Sequence, residues 1–389
     1  MELSNFVRDA TNYMKKIKIL AVQTSYKLKI DRKTGKEICY TSAVDYYRNI
    51  QPLKYLPKDK FEVDFTYEPI GQNQKFKNTA DLAKYYDVLY LSYMDSIKFY
   101  IELRVQGIKY GMKMVLDLDD NIWAVDPSHP YYKGNFEPGS EKNFNRSAVI
   151  LDVDAVTTTN SFLRYKIVEN TSRPIKDISI IPNFIDLTLF DYKKIPEKPN
   201  KDEIQIGYLG GASHFPDINK REFTDAVKII MDKYPQVRLK TTFYMPQLKA
   251  LFGYKYRYTL GRANYDRYVK EIWPKMMAES DILVAPLSWS NYSRAKSYIK
   301  YLEMSAGKKP MICEKIDPYN EVLANHPERG LQASTTEDWV NHFTYLIENP
   351  DKAKEMGEEA YKYVKENHTI QGNVDLIANY FEKLTDLKS

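Results

Sequence analysis

The chain has 389 residues, 43% of them hydrophobic and 28% charged, with a formal net charge of +5. That length exceeds what one core ordinarily serves and suits two domains of common size, and the composition excludes a disordered or collagen-like chain. Cys39 and Cys313 lie far apart and the five histidines form no metal-like pair, which argues against a disulfide framework or a zinc module.

The mild positive charge admits acidic partners such as nucleotides, anionic lipids or nucleic acid, and selects none of them. No run approaches the ~18 apolar residues that span a bilayer, and no signal peptide precedes the first strand, so the expectation is a cytoplasmic protein. Residues 2–16 set Leu3, Phe6, Val7, Ala10 and Met14 on one helical face, for packing on its own domain or a second subunit. Membrane-surface attachment, the alternative, lacks a basic stripe, because Glu2 and Asp9 share the polar face.

Residues 16–23 read as a first buried strand, followed by a polar loop and a helix from about Thr41 that carries Tyr46, Tyr47, Arg48 and Pro52. Arg48 faces either a phosphate or a carboxylate on the helix surface. Strands follow at 61–67 and 87–93, and a third at 113–118 ends in Asp117, Asp119 and Asp120. In open parallel sheets ligands bind beyond the carboxyl ends of strands, and three carboxylates there repel unless a cation, a hydroxyl or a shared proton relieves them. The readings are a metal held by Asp117 and Asp119, an aspartyl nucleophile, or a cap on the next turn through Asn121. Residues 129–143, polar, aromatic and broken by Gly and Pro, read as a mobile loop over a cleft.

Strands at 155–159 and 178–181 close the first half, and residues 193–203, charged and broken twice by proline, read as a linker. A fresh strand at 204–209 ends in Gly210 and Gly211, which let backbone amides approach a phosphate or sugar. After a strand at 237–244, residues 254–268 interleave Lys255, Arg257, Arg262 and Arg267 with five tyrosines. That pattern suits single-stranded nucleic acid, a carbohydrate chain or simply an exposed strand. The stretch from Asp281 to Pro310 reads as a buried strand stopped by Pro286, a polar loop, and a helix of about four turns closed by Gly307 and Pro310. On such a helix Lys296, Lys300 and Glu303 fall on one stripe. Two lysines one turn apart repel, whereas an anion over the first turn reverses that sign. Glu303, a turn deeper, can accept both hydroxyls of a ribose, so the stripe has the layout a nucleotide sugar needs. A strand at 309–313 and an amphipathic last helix from about 373 to 387 complete the chain.

The runs D-I-x-V-A-P-L, N-x-x-x-x-K-S-x-x-K-Y-x-E and G-x-x-P in this stretch resemble the donor-binding segment of retaining glycosyltransferases of the GT-B fold, in the branch related to family 4. Members share a Glu, seven residues, Glu motif. Glu303 matches the second Glu, but the first position is Ala295, with Lys296 beside it. Other pieces occur in the order this family has them: YYRNIQPLKYL, D-L-D-D-N-x-W, DAVTTTNSFLRYKI with IIPNFID, the G-x-x-G-x-x-x-H opening of the second half, and TLGRANYDRYVKEI.

The resemblance implies an α/β chain of two Rossmann-like domains facing a central cleft: 1–192 on the acceptor side, 193–203 as linker, and 204–372 binding the nucleotide sugar. The final helix, about 373–389, crosses back to the first domain. It further implies transfer of a hexosyl or pentosyl unit, with retention, from a nucleoside diphosphate-sugar such as a UDP-sugar to a hydroxyl of a glycan or glycolipid. Hydroxylated bases in DNA are an alternative acceptor, and a silent nucleotide-sugar-binding subunit an alternative role. The donor residues implied are Gly210, Gly211, His214, Arg262, Asn291, Lys296, Ser297, Lys300 and Glu303, with Tyr47 and Arg48 on the acceptor side. Asp119 or Asp120 is the candidate general base. His214 has the alternative of capping local backbone. No cofactor and no metal is expected, since the lysines supply the positive charge.

Overall fold

The computed structural model describes residues 15–23, 27–30, 37–40, 42–66, 70, 75–92, 94, 96–127, 132–189, 198, 200–210, 214–258 and 272–386. Residues 2–14 of the helix expected over 2–16, most of the linker, Gly211, and Arg262 with its turn lie outside these residues.

Two parallel six-stranded sheets organise the chain, so the expected α/β architecture of two Rossmann-like units is present. The first contains β1 (Ile17–Val22), β4 (Phe61–Thr66), β5 (Val88–Leu91), β6 (Lys113–Leu118), β7 (Ala155–Thr158) and β8 (Ile178–Ile180), in the order β4-β1-β5-β6-β7-β8. The second contains β9 (Ile204–Tyr208), β10 (Val237–Thr241), β11 (Tyr256–Tyr258), β12 (Ile282–Ala285), β13 (Met311–Glu314) and β14 (Leu331–Ala333), in the order β11-β10-β9-β12-β13-β14. Their apolar runs are what a parallel sheet covered on both faces requires: every residue of β5, β12 and β13 is buried. In each sheet the order reverses once, between β1 and β5 and between β9 and β12. Open α/β sheets bind ligands outside such reversals, at the carboxyl ends of the strands.

Local structure departs from the sequence reading in four places. The stretch after β1 read as a polar loop contains an antiparallel hairpin, β2 (Lys27–Ile30) with β3 (Glu37–Tyr40). The following helix runs Ala43–Asp45, then a π turn Tyr46–Ile50, then Gln51–Lys54. Within the loop expected at 129–143, Glu141 already opens a helix to Asp152, capped by the Ser140 side chain. The single four-turn helix expected after β12 is two helices, Asn291–Arg294 and Ile299–Ala306. Lys296 therefore sits in the bend between them, off the stripe that carries Lys300 and Glu303.

The two units exchange side chains. Ala295, fully buried, packs into the core of the first sheet with Leu118, Ile122 and Leu163. Tyr47 and Ile185 pack into the core of the second with Leu209, Tyr298 and Leu302. The last helix, Ile370–Asp386, lays Ile370, Ile377, Ala378, Phe381 and Leu384 against Ile19, Ala21 and Tyr90 of the first sheet. Its start is tied by backbone bonds in both directions between Ile185 and His368–Ile370, at 2.9 and 3.0 Å. Among the described residues no helix is long and apolar enough to cross a membrane.

Candidate active site

The carboxyl ends of both sheets meet around the bend at residues 295–297. From the second sheet, β9 delivers Gly210, whose backbone N–H donates to Thr242 Oγ1 at 3.1 Å while that hydroxyl donates to the Gly210 carbonyl at 3.0 Å. A Cβ here would lie 2.7 Å from the Tyr208 ring, so this turn requires glycine. Just beyond, His214 Nδ1 lies 2.9 Å from Asp217 Oδ2, and the Ser288 amide donates to Asp217 Oδ1 at 2.9 Å. Burial, reinforced by the nearby Lys300 cation and opposed by Asp217, pushes the imidazole down to about 4. A neutral ring bonded this way carries its proton on Nδ1 and leaves Nε2 an acceptor. The alternative of a histidine capping local backbone is not what the structure shows: Nδ1 meets the Asp217 side chain, and the ring makes no cap hydrogen bond to the helix that follows.

The cations come next. Lys300 Nζ donates to the Leu209 carbonyl at 2.7 Å. Burial lowers it to about 8, with the Lys296 charge adding to the shift and Glu303 opposing it. The two ammonium groups therefore sense each other, although a helix break separates them. Lys296 crosses to the other side of the cleft, its Nζ 3.4 Å from Asp120 Oδ1 and 4.3 Å from the Tyr292 ring centre. Burial alone would lower it, but Asp120, then Tyr292, Asp217 and Asp119 hold it above the ordinary lysine range. Tyr292 donates to Asp120 Oδ2 at 3.1 Å, so one carboxylate takes both groups. Asp119 stands beside it and contributes to the field on Lys296.

Glu303 is 8% exposed, and its Oε1 accepts the Tyr47 hydroxyl at 2.9 Å from the other unit. The residue expected to face the acceptor thus touches the residue expected to hold ribose. Ser297 Oγ accepts from Asn183 Nδ2 at 2.7 Å, and the Asn291 carbonyl accepts from Asn121 Nδ2 at 3.3 Å.

Two sequence readings need correction. Arg48 is buried and meets neither a phosphate nor a surface carboxylate. Its Nε and Nη2 donate to the two oxygens of Asp117 at 2.9 and 2.7 Å, and Nη1 donates to the Ile181 carbonyl and to Asn183 Oδ1. Asp117 also accepts from Thr157 Oγ1 at 2.6 Å. With both oxygens engaged inside the first unit, Asp117 is a core carboxylate, and the reading of a metal held by Asp117 and Asp119 fails on that geometry. Among the described residues no group of three or more His, Cys, Asp or Glu is arranged to hold a metal ion. In the basic and aromatic stretch at 254–268, Arg257 is paired with Glu203 through two 2.7 Å bonds and Lys255 donates to the Met231 carbonyl. Those two cations serve the protein itself.

Sequence reasoning gave Asn121 only as a local cap and did not single out Asn160 and Asn183; all three bridge the units. The available signal was their position, each within three residues of the end of a first-sheet strand.

No protein-family model and no curated protein matches the sequence. Solved structures match in shape. HepE of Anabaena, solved with UDP and glucose, superposes with a TM-score of 0.61 at 14% identity, over 95% of this chain and 100% of that one. A glycosyltransferase of Rickettsia africae matches with 0.61 at 14%, over 95% and 99%. Sucrose-phosphate synthase of Thermosynechococcus elongatus matches with 0.59 at 13%, over 96% and 100%. These neighbours are GT-B glycosyltransferases, and at such identities the likeness carries the GT-B architecture of this chain.

Proposed function

We propose that this protein is a cytoplasmic, retaining glycosyltransferase of the family 4 branch. It moves a hexosyl or pentosyl unit from a nucleoside diphosphate-sugar, a UDP-sugar first among candidates, to a hydroxyl of a glycan or glycolipid. The observation that carries the proposal is the convergence of Lys296, Lys300, Glu303 and the neutral His214 at the β9–β12 reversal, facing Asp120 of the first unit. Structural likeness to HepE, solved with UDP and glucose, supports the choice of donor.

In this reading the diphosphate lies on the Gly210–Gly211 turn and between Lys296 and Lys300, whose charges stabilise the developing negative charge of the leaving group. Glu303 holds ribose, while Asn291 and Ser297 border the phosphates and Arg262 the base. Asp120, or Asp119 next to it, faces the reacting sugar and takes the acceptor proton. On donor binding Lys296 exchanges Asp120 for phosphate, which frees that carboxylate for the acceptor. The lysines do the work a divalent ion does elsewhere, so the proposal requires no metal.

A thermal-shift panel of nucleotide sugars, with and without chelator, tests this. A ligand at 100 times its Kd adds about 2.7 kcal/mol, or roughly 5–10 °C for a domain of this size. The expected result is such a shift with one nucleoside diphosphate-sugar, insensitive to chelator, together with slow donor hydrolysis that is lost in Glu303→Ala. No shift with any donor sinks the proposal. A shift without hydrolysis or transfer identifies a silent binding subunit, and salt-sensitive DNA binding points to a base in DNA as acceptor.

A further inference from the structure

Three buried asparagines of the first unit divide their amides in the same way. Asn121 Oδ1 accepts from the Trp123 amide at 3.3 Å while Nδ2 donates to the Asn291 carbonyl. Asn160 Oδ1 accepts from the Leu163 amide at 2.9 Å, capping the helix Ser161–Thr171, while Nδ2 donates to the carbonyls of Ala295 and Lys296 at 2.8 and 3.2 Å. Asn183 Oδ1 accepts from Arg48 Nη1 at 2.9 Å while Nδ2 donates to Ser297 Oγ. In each case the oxygen is committed to the residue's own unit, which fixes the orientation of the amide and turns the donor toward the cleft.

Asn160 and Asn183 grip the break between the Asn291–Arg294 and Ile299–Ala306 helices, and Asn121 holds the first residue of the former. Carbonyls at the end of a helix have no partner within it, and those of Ala295 and Lys296 receive theirs from Asn160. We infer that Asn160 is a positioning residue for Lys296, so that the first unit sets the anion-binding ammonium of the second. The inference rests on the donor reading above for the role of Lys296.

The geometry explains why a lysine outside any helix keeps a defined direction. Ala295, sealed in the first unit's core, anchors one side of Lys296, and Ser297, bonded to Asn183, anchors the other. Asn160 holds the peptide between them. Its bonds form only while the two units are docked, so the phosphate site is complete only in that arrangement. Displacement of a binding group by about 1 Å costs up to ~100-fold in turnover, so a partial displacement of Lys296 is expected to weaken anion binding by about tenfold.

Asn160→Ser tests this, because serine still caps the helix but is too short to reach the carbonyls. The probes are inorganic pyrophosphate and UDP, titrated calorimetrically against wild type, Asn160→Ser, Lys296→Ala and the double variant. Both probes are expected to bind Asn160→Ser about tenfold more weakly, with less than a twofold further loss when the change is made in Lys296→Ala. Equal affinity in wild type and Asn160→Ser overturns the inference. A full tenfold loss that persists without Lys296 overturns it too, since it would reflect general loosening. If Asn160→Ser does not fold, Asn160→Asp retains the cap and turns an oxygen toward the two carbonyls, and a larger loss is expected. A wild type that binds pyrophosphate through Lys296 but no nucleotide sugar overturns the donor reading and leaves the positioning role standing. A wild type that binds neither overturns both.

Discussion

Replacing Arg48 by methionine isolates the buried ion pair that ties the π turn to the first sheet. Arg48 and Asp117 retain 2% and 1% of their side-chain exposure, and the guanidinium makes four hydrogen bonds: two to the carboxylate, one to the Ile181 carbonyl and one to Asn183 Oδ1. Burial alone would lower the guanidinium, but Asp117 beside it raises it above the usual arginine range, so the charged form is the one the fold selects. Methionine fills much of the same space and leaves Asp117 a buried carboxylate with Thr157 as its remaining hydrogen-bond donor. Breaking a buried pair by removing one partner costs about 3–5 kcal/mol. At 2–4 °C per kcal/mol for a unit of this size, the melting temperature should fall by roughly 10 °C. Scanning calorimetry of Arg48→Met, Asp117→Leu and the double variant gives the cycle. The double variant should recover most of the loss, because a buried pair replaced as a whole by apolar side chains is often neutral. A single-variant drop below about 3 °C, or a double variant no better than the worse single, refutes the argument that these two charges depend on each other. Asn183 loses its tie to Arg48 in the same variant, so pyrophosphate binding should weaken with it.

Two further predictions concern the cleft. Lys300, lowered to about 8, is charged below that pH and neutral above it. A diphosphate binds the charged form, so UDP affinity should stay level up to about pH 7.5 and then fall toward tenfold per pH unit. Lys300→Arg, which remains charged, should flatten the curve, and a level wild-type profile to pH 9.5 refutes the assignment. For folding the same shift has the opposite consequence. A lysine whose folded value lies below its unfolded value opposes folding while charged, and that penalty is relieved as pH rises from about 8 toward 10.5. Ala295→Glu, which introduces the carboxylate that the resembled motif has at this position, should not raise turnover. Ala295 is fully buried in the first unit's core, where an unpaired carboxylate costs several kcal/mol, so the variant should melt at least 5 °C lower. Gain of activity at unchanged stability would refute this.

Apolar periodicity and its stops determined the sheets. Strands near 17–22, 113–118, 204–208 and 282–285 are written locally as largely apolar stretches, interrupted only by Lys18, Lys113, Asp117 and Gln205, because a strand covered on both faces is mostly apolar. The resemblance in motif order carried the pairing of two Rossmann-like units, and the shape of the whole agrees with it. Partnership was not local. Tyr47 meets Glu303 across 256 positions, and Arg48 meets Asp117 across 69; nothing near Arg48 distinguishes a phosphate ligand from a core cation. The break at 295–297 is the clearest case. Between Asn291 and Ala306 stands neither glycine nor proline, so local propensity calls for one helix. The docked units separate it into two, because Asn160 and Asn183 of one bond the peptide and side chain of the other. Local chemistry thus decided which residues form each sheet, and the docking of the units decided where Lys296 points, since its restraints come from side chains more than a hundred residues away.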